Sequence, residues 1–325
     1  ETRVKSILTI HNIAFQGNAD ASLLEDLGLP RAEFRPDALE YFGHLSSLKA
    51  GLVTADAITT VSPTYARELM RPEFGMGLQG VIAARAADVS GILNGVDTGV
   101  WSPATDPEIV PYSARAMAGK KKNRAALLAE FGLDPVPGPL AVVVSRLTAQ
   151  KGIDLIAAGL GGFIASGGGL IVLGSGDAGL EAAMREAART HKGRVGLRIG
   201  YDEALSHRIF AGGDAVLVPS RFEPCGVTQM YGLRYGTVPL VAATGGLADT
   251  VIDANPAAIN AGVATGIAFH PSDALVFGQA LRRLTTLHGD ARTWAQLQRN
   301  GMKTSVDWGR SSAAYAALYE SLSAR

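Results

Sequence analysis

From residue 140 onward, short β-branched apolar runs alternate with stretches of helical pattern, and this rhythm restricts the fold more than any other property of the chain. The runs fall at 140–144, 170–173, 195–199, 215–218 and 238–241, with helices predicted from Ile153 and over 180–190. A run of four or five apolar residues without polar alternation predicts a strand buried on both faces. Such strands separated by helices form βαβ units, and so a doubly wound parallel sheet of the α/β class. Before them, 4–10 and 57–61 read as strands, the second followed by Ser62 as a cap and Pro63 at the first helical position. Residues 92–95 predict a short strand leading into a crossing, and the proline-punctuated stretch 100–111 a hinge. A chain of 325 residues is long enough for two domains, each with its own core.

Thirty basic and thirty acidic side chains cancel, which leaves no bulk field to hold nucleic acid or an anionic membrane. The most apolar stretch, 152–174, is interrupted by Asp154 and repeated glycines and reads as helix, turn and strand, not as a membrane span. The single cysteine, Cys225, rules out an internal disulfide framework and suits a reducing cytoplasm. Lys120, Lys121 and Lys122 with Arg124 open a helix expected to stop near Gly132, and their charge predicts a solvated face. Near the end, Tyr315, Leu318, Tyr319 and Leu322 share one face of a helix over 312–322.

Ligands of open α/β sheets collect at the carboxyl ends of strands, so the loops after 140–144 and 215–218 are where a site is expected. The first reads Ser145-Arg146-Leu147-Thr148-Ala149-Gln150-Lys151-Gly152. It brings a guanidinium fork, Arg146, and an ammonium, Lys151, both suited to a diphosphate, although an Arg and a Lys at a helix start are by themselves more often surface charges. The second reads Ser220-Arg221-Phe222-Glu223-Pro224-Cys225-Gly226-Val227-Thr228-Gln229. Here a carboxylate, Glu223, precedes a predicted helix start at Cys225-Gly226-Val227-Thr228, whose free backbone N–H groups can meet anionic oxygens. Together the loops describe a pocket for a sugar nucleotide. Cys225 has no neighbouring base and reads as a packing residue of that pocket, not as a nucleophile. Gly245-Gly246-Leu247 either offers N–H groups to the ligand or makes a tight turn before a helix.

These stretches, with Thr244-Gly245-Gly246-Leu247-Ala248-Asp249-Thr250, resemble the signature motifs of bacterial glycogen synthases and plant starch synthases. The likeness continues through His11-Asn12-Ile13-Ala14-Phe15-Gln16-Gly17, Phe74-Gly75-Met76-Gly77-Leu78 and Asn94-Gly95-Val96-Asp97. Several long motifs in order are far more specific than a lone glycine pattern. The resemblance implies the GT-B fold, two facing Rossmann-like domains with the first incomplete: 1–98 on the acceptor side, 99–306 for the nucleotide sugar, and a terminal helix, 307–325, crossing back. It further implies cytoplasmic transfer of glucose from ADP-glucose to the non-reducing end of an α-1,4-glucan, with retention of configuration and with no metal or other cofactor.

In that family Arg146 and Lys151 would neutralise the departing ADP, and Glu223 would reach hydroxyls of the donor glucose as positive character develops. His11 would contact the glucose near its 6-hydroxyl without serving as a general base, because the leaving phosphate takes the acceptor proton on the same face. Asn12, in the same stretch, and Asn94 would also lie at the donor. Cys225, Gly226, Val227 and Thr228 would border it, and Tyr201 would stack on adenine, against the competing reading of a loop tyrosine packed on the next helix. Tyr231 stands where many GT-B enzymes carry a second glutamate for the ribose, so ribose recognition would come partly from elsewhere. Ala149 replaces the bulky aromatic expected of close relatives.

Two features of the family are not found: a Lys-x-Gly-Gly-Leu loop that touches the donor phosphates, and an acidic residue ahead of the His11 stretch. The chain is therefore expected to be the carboxyl-terminal two thirds of a synthase, with little turnover by itself. The alternative, from another functional class, is a non-catalytic remnant that binds nucleotide or glucan. A GT-B epimerase or phosphorylase is disfavoured; for the phosphorylases, the lysine context of their pyridoxal cofactor is not seen. Preference for ADP over UDP rests on the resemblance alone.

Overall fold

The computed structural model describes residues 4–324. It divides into two units, one made of residues up to Asn94 and from Gly309 on, the other of Gly95–Trp308. In the first unit β1 (Ile7–Ile10) is followed by three short strands, β2 (Asn18–Ala19), β3 (Glu40–Tyr41) and β4 (His44–Ser46), and then by β5 (Ala57–Thr60) and β6 (Val89–Gly91). A parallel sheet runs in the order β1-β5-β6, and the three short strands form a separate antiparallel sheet, β2-β4-β3. Ser62 caps the helix Pro63–Glu68 by accepting from Tyr65 N, with Pro63 in the first turn. The closing helix, Gly309–Ser323, groups with this unit; Leu322 is buried, Tyr315 and Leu318 are half-buried, and Ser311 Oγ donates to Leu93 O.

The second unit holds β7 (Leu140–Val144), β8 (Gly169–Gly174), β9 (Val195–Ile199), β10 (Ala215–Val218), β11 (Val238–Ala242) and β12 (Ile267–Phe269) in one parallel sheet. Its order is β12-β11-β10-β7-β8-β9. Counted within the unit that is 3-2-1-4-5-6, the doubly wound order in which the direction of winding reverses between the first and fourth strands, here β7 and β10. Side chains of β7 alternate between two cores. Ala141 and Val143 join the helices Ile153–Ala165 and Ala274–Gly289, while Leu140 and Val142 join Ala118–Glu130 and Glu203–Gly212. Both faces are covered, which is why the strand sequences show no polar alternation. Aspartate caps start four of the helices: Asp177 accepts from Gly179 N and Leu180 N, Asp202 from Leu205 N, Asp273 from Val276 N, and Asp290 from Arg292 N and Thr293 N.

Four sequence expectations change. The first strand begins at Ile7, not Val4, because Ser6 N and Ser6 Oγ are held by the Asp56 carboxylate at 2.8 and 3.0 Å. The strand expected at 92–95 lies at Val89–Gly91; Ile92 N still donates to Thr60 O, but β5 ends at Thr60 and leaves later residues nothing to pair with. The chain changes unit at Asn94–Gly95 and again at Trp308–Gly309, rather than in the proline-rich stretch 100–111, where Trp101 and Asp106 are buried anchors of the second unit. The basic run is not a solvated face throughout. Lys121 and Lys122 are exposed, but Lys120 is buried and donates to Phe210 O, Ala211 O and Thr237 Oγ1. Arg124 binds Asp214 at 2.9 Å and the carbonyls of Val136 and Gly138. Among the described residues no helix is long and apolar enough to cross a membrane.

Candidate active site

The loops that follow β7 and β10 flank the point where the strand order reverses, and backbone contacts tie them together. Gly152, with φ of +70°, ends the short turn Ala149–Lys151; a Cβ there would lie 2.2 Å from Pro219 O, so only glycine lets the two loops approach. Arg221 N donates to Gln150 O and Gln150 Nε2 to Phe222 O, at 2.9 and 3.2 Å. Arg221 grips Asp154 through both terminal nitrogens at 2.8 and 2.6 Å, and this fork holds the Asp154 carboxyl below the usual carboxylate range. Sequence reasoning passed over both residues, although they lie inside or beside the motifs.

Across this joint Lys151 Nζ lies 2.5 Å from Glu223 Oε2, and Ser220 Oγ donates to the same oxygen at 2.9 Å. Glu223 is buried and Lys151 half-buried, so the ion pair sits partly out of water. Arg146 is placed differently: its side chain is exposed and makes no ion pair among the described residues. The helix Thr228–Tyr235 starts behind Glu223 with no side-chain cap at Val227, which leaves its first N–H groups without a side-chain acceptor. Cys225 is buried and not in a disulfide. The N–H groups of Gly246 and Leu247 are not offered outward. Gly246 N donates to Glu223 O and Pro224 O, and Leu247 N to Thr244 O, so this turn supports the Glu223 loop from behind. Two buried atoms of the site, Thr148 Oγ1 and Gln229 Oε1, have no hydrogen-bond partner among the described residues and leave unused bonding capacity there.

Beside Arg146 a cleft of about 330 Å³ opens over the carboxyl ends of β7, β8 and β9, with Ser145, Gly174, Ser175, Tyr201 and Ser206 in its walls. Small-molecule sites start near this volume. Tyr201 is 85% exposed, and its hydroxyl donates at 3.0 Å to Glu203 Oε2 on the first residue of the helix Glu203–Gly212. Tyr231 is half-buried on the helix Thr228–Tyr235; burial, and then the charges of Glu203 and Tyr201, push its phenol up. The structure thus brings together Lys151 with Glu223, and Arg146 with Tyr201. Among the described residues no group of three or more His, Cys, Asp or Glu side chains is arranged to hold a metal ion.

In the first unit His11 follows β1 and is exposed. Asn12 Oδ1 accepts from Ala14 N at 3.0 Å and Tyr65 OH accepts from Ile13 N at 3.0 Å, so the loop carrying His11 has a defined shape. Asn94 is half-buried at the end of this unit.

The starch synthase catalytic domain family matches residues 1–84. The glycogen synthase of Cereibacter sphaeroides is 67% identical over 319 residues, 98% of this chain and 66% of that protein. The glycogen synthase of Paracoccus denitrificans is 57% identical over 321 residues, 99% of this chain and 67% of that protein. Among solved structures, the catalytic domain of starch synthase IV from Arabidopsis thaliana, bound to ADP and acarbose, superposes with a TM-score of 0.92 at 35% identity, over 99% of this chain and 67% of that one. The chain spans about two thirds of the length of the curated relatives it matches. With Rossmann-like parallel sheets of the GT-B class and this degree of identity to glycogen synthases, the chain belongs to the bacterial glycogen synthase family.

Proposed function

We propose that this chain carries the donor-binding and transfer machinery of a glycogen synthase, which moves glucose from ADP-glucose to the non-reducing end of an α-1,4-glucan with retention of configuration. The observation that carries this reading is the Lys151–Glu223 pair, held by Ser220 at the switch point of a doubly wound sheet beside the cleft of Arg146 and Tyr201. In the reaction the bond from glucose C1 to the ADP phosphate oxygen breaks as C1 bonds the acceptor 4-oxygen. The acceptor proton passes to the departing phosphate on the same face. Arg146 and Lys151 meet the charge growing on ADP, the first N–H groups of the helix Thr228–Tyr235 face anionic oxygens, and Glu223 holds sugar hydroxyls while C1 becomes electron-poor. Tyr201 offers its exposed ring to the adenine. His11, Asn12 and Asn94 keep the sugar-contacting roles that their motifs imply.

ADP as the nucleotide is supported by the ligand of the Arabidopsis structure, and glucan as the acceptor by the curated relatives. Incubation with labelled ADP-glucose or UDP-glucose and glycogen tests the reading. Any label that enters glycogen should come from ADP-glucose and not from UDP-glucose, and ADP should bind and compete even where incorporation is slight. No incorporation from either donor, together with no nucleotide binding, would overturn it.

A further inference from the structure

Trp101 occupies the middle of a three-ring stack in the second unit. His207 lies on one face, with ring centroids 3.8 Å apart and planes at 11°, and Tyr231 on the other at 3.9 Å and 23°. His207 Nδ1 is 2.7 Å from Asp106 Oδ2, which also accepts the Tyr235 hydroxyl at 2.5 Å, while Asp106 Oδ1 accepts Glu108 N at 2.9 Å. Trp101, His207 and Asp106 are all buried. Apolar side chains would fill this volume without the desolvation that a buried carboxylate and imidazole require. Polar groups with several fixed partners do what apolar ones cannot, namely set the orientation of a ring.

The half-buried ring of the stack is Tyr231, which stands one turn into the helix whose start faces the site, near enough to Glu203 and Tyr201 for their charges to act on its phenol. Between a base-facing Tyr201 and phosphate-facing N–H groups at Val227 and Thr228, that is the position a ribose would span. We propose that Trp101 is a positioning residue for the nucleotide: clamped by His207 and Asp106, it holds the Tyr231 ring against the ribose side of the cleft. The inference rests on the nucleotide-sugar reading of that cleft. It accounts for tight packing at Tyr231, where a charged ribose contact is lacking. A wall already in its bound position avoids the ordering cost that a mobile ring would bring to binding.

Calorimetric titration of the 325-residue chain with ADP tests this. Trp101→Leu should weaken ADP about tenfold and Trp101→Phe about threefold, because a phenyl ring still stacks on Tyr231. In a Tyr231→Leu background the Trp101→Leu change should cost no further affinity, since the two residues act as one unit. Thermal melts run alongside give the folded fraction. If Trp101→Leu does not fold, Trp101→Phe and His207→Gln carry the test, each with an expected loss of about threefold. Unaltered ADP affinity in the folded Trp101 variants, or a Trp101 effect that persists without Tyr231, would overturn the inference and leave the functional reading standing. An unsubstituted chain that binds no ADP would overturn both.

Discussion

Arg146 and Lys151 share a loop, but the fold gives them different jobs in the unliganded protein. Lys151 neutralises the buried Glu223 carboxylate, whereas Arg146 is exposed and unpaired among the described residues. Stability and turnover should therefore separate. Arg146→Ala should change unfolding free energy by less than about 0.5 kcal/mol, as for an exposed side chain, yet lower kcat by about 10² or more through lost charge stabilisation. Arg146→Lys should recover little, because a point charge does not replace a fork. Lys151→Met should lower kcat comparably and also destabilise the protein, by up to about 3 kcal/mol, since it strands Glu223. Urea melts and transfer assays on both variants check the pair, and equal stability losses would contradict it. Lys120 supplies a pH effect of its own. Burial pulls its amine from 10.5 down to about 7, against the opposing pull of Asp214. Between those two values the unfolded chain holds a proton that the folded one has released, so stability from this group rises with pH there. Unfolding at pH 7 and pH 9.5 should show the unsubstituted chain gaining on Lys120→Met, and a constant difference would count against it.

At the scale of elements, the second unit depends on strands covered on both sides. Leu170 on β8 is fully buried in one of the two cores, so Leu170→Ala should cost about 2–5 kcal/mol in urea unfolding. Glycine turns matter to the site in another way. Gly245, at φ of +44°, would place a Cβ 1.9 Å from Glu223 O, so Gly245→Ala has to displace the Glu223 loop. Its kcat should fall by about tenfold or more even where the protein remains folded, as a displacement of the loop by about 1 Å suffices for losses of this order. A variant with full kcat would show that the loop does not depend on this turn. The position of Gly245-Gly246 could be read from the motif, but its use could not: the Gly246 N–H serves the Glu223 loop instead of facing a ligand.

For the whole chain, a nucleotide that binds the folded protein alone should raise its unfolding free energy by about 2.7 kcal/mol at a hundredfold excess over Kd, visible as a higher urea midpoint. An unmoved midpoint at millimolar ADP would speak against the nucleotide reading. Five of the six strands of the second unit, the cap at Ser62, and the two loops that bear Arg146, Lys151 and Glu223 were legible in the amino-acid sequence, because periodicity, capping and turn chemistry act between residues close along the chain; the short strand Ile267–Phe269 and the cap at Asp202 were not. Only the tertiary structure decided that Lys151 pairs with Glu223, that Arg221 grips Asp154, that Lys120 turns inward, and that Trp101 is sandwiched in place of a hinge. Each of those contacts joins residues far apart in sequence: the charge or ring is visible locally, but its partner is chosen by the order in which β7 and β10 come to lie side by side and by which atoms the sheet and its helices exclude from water.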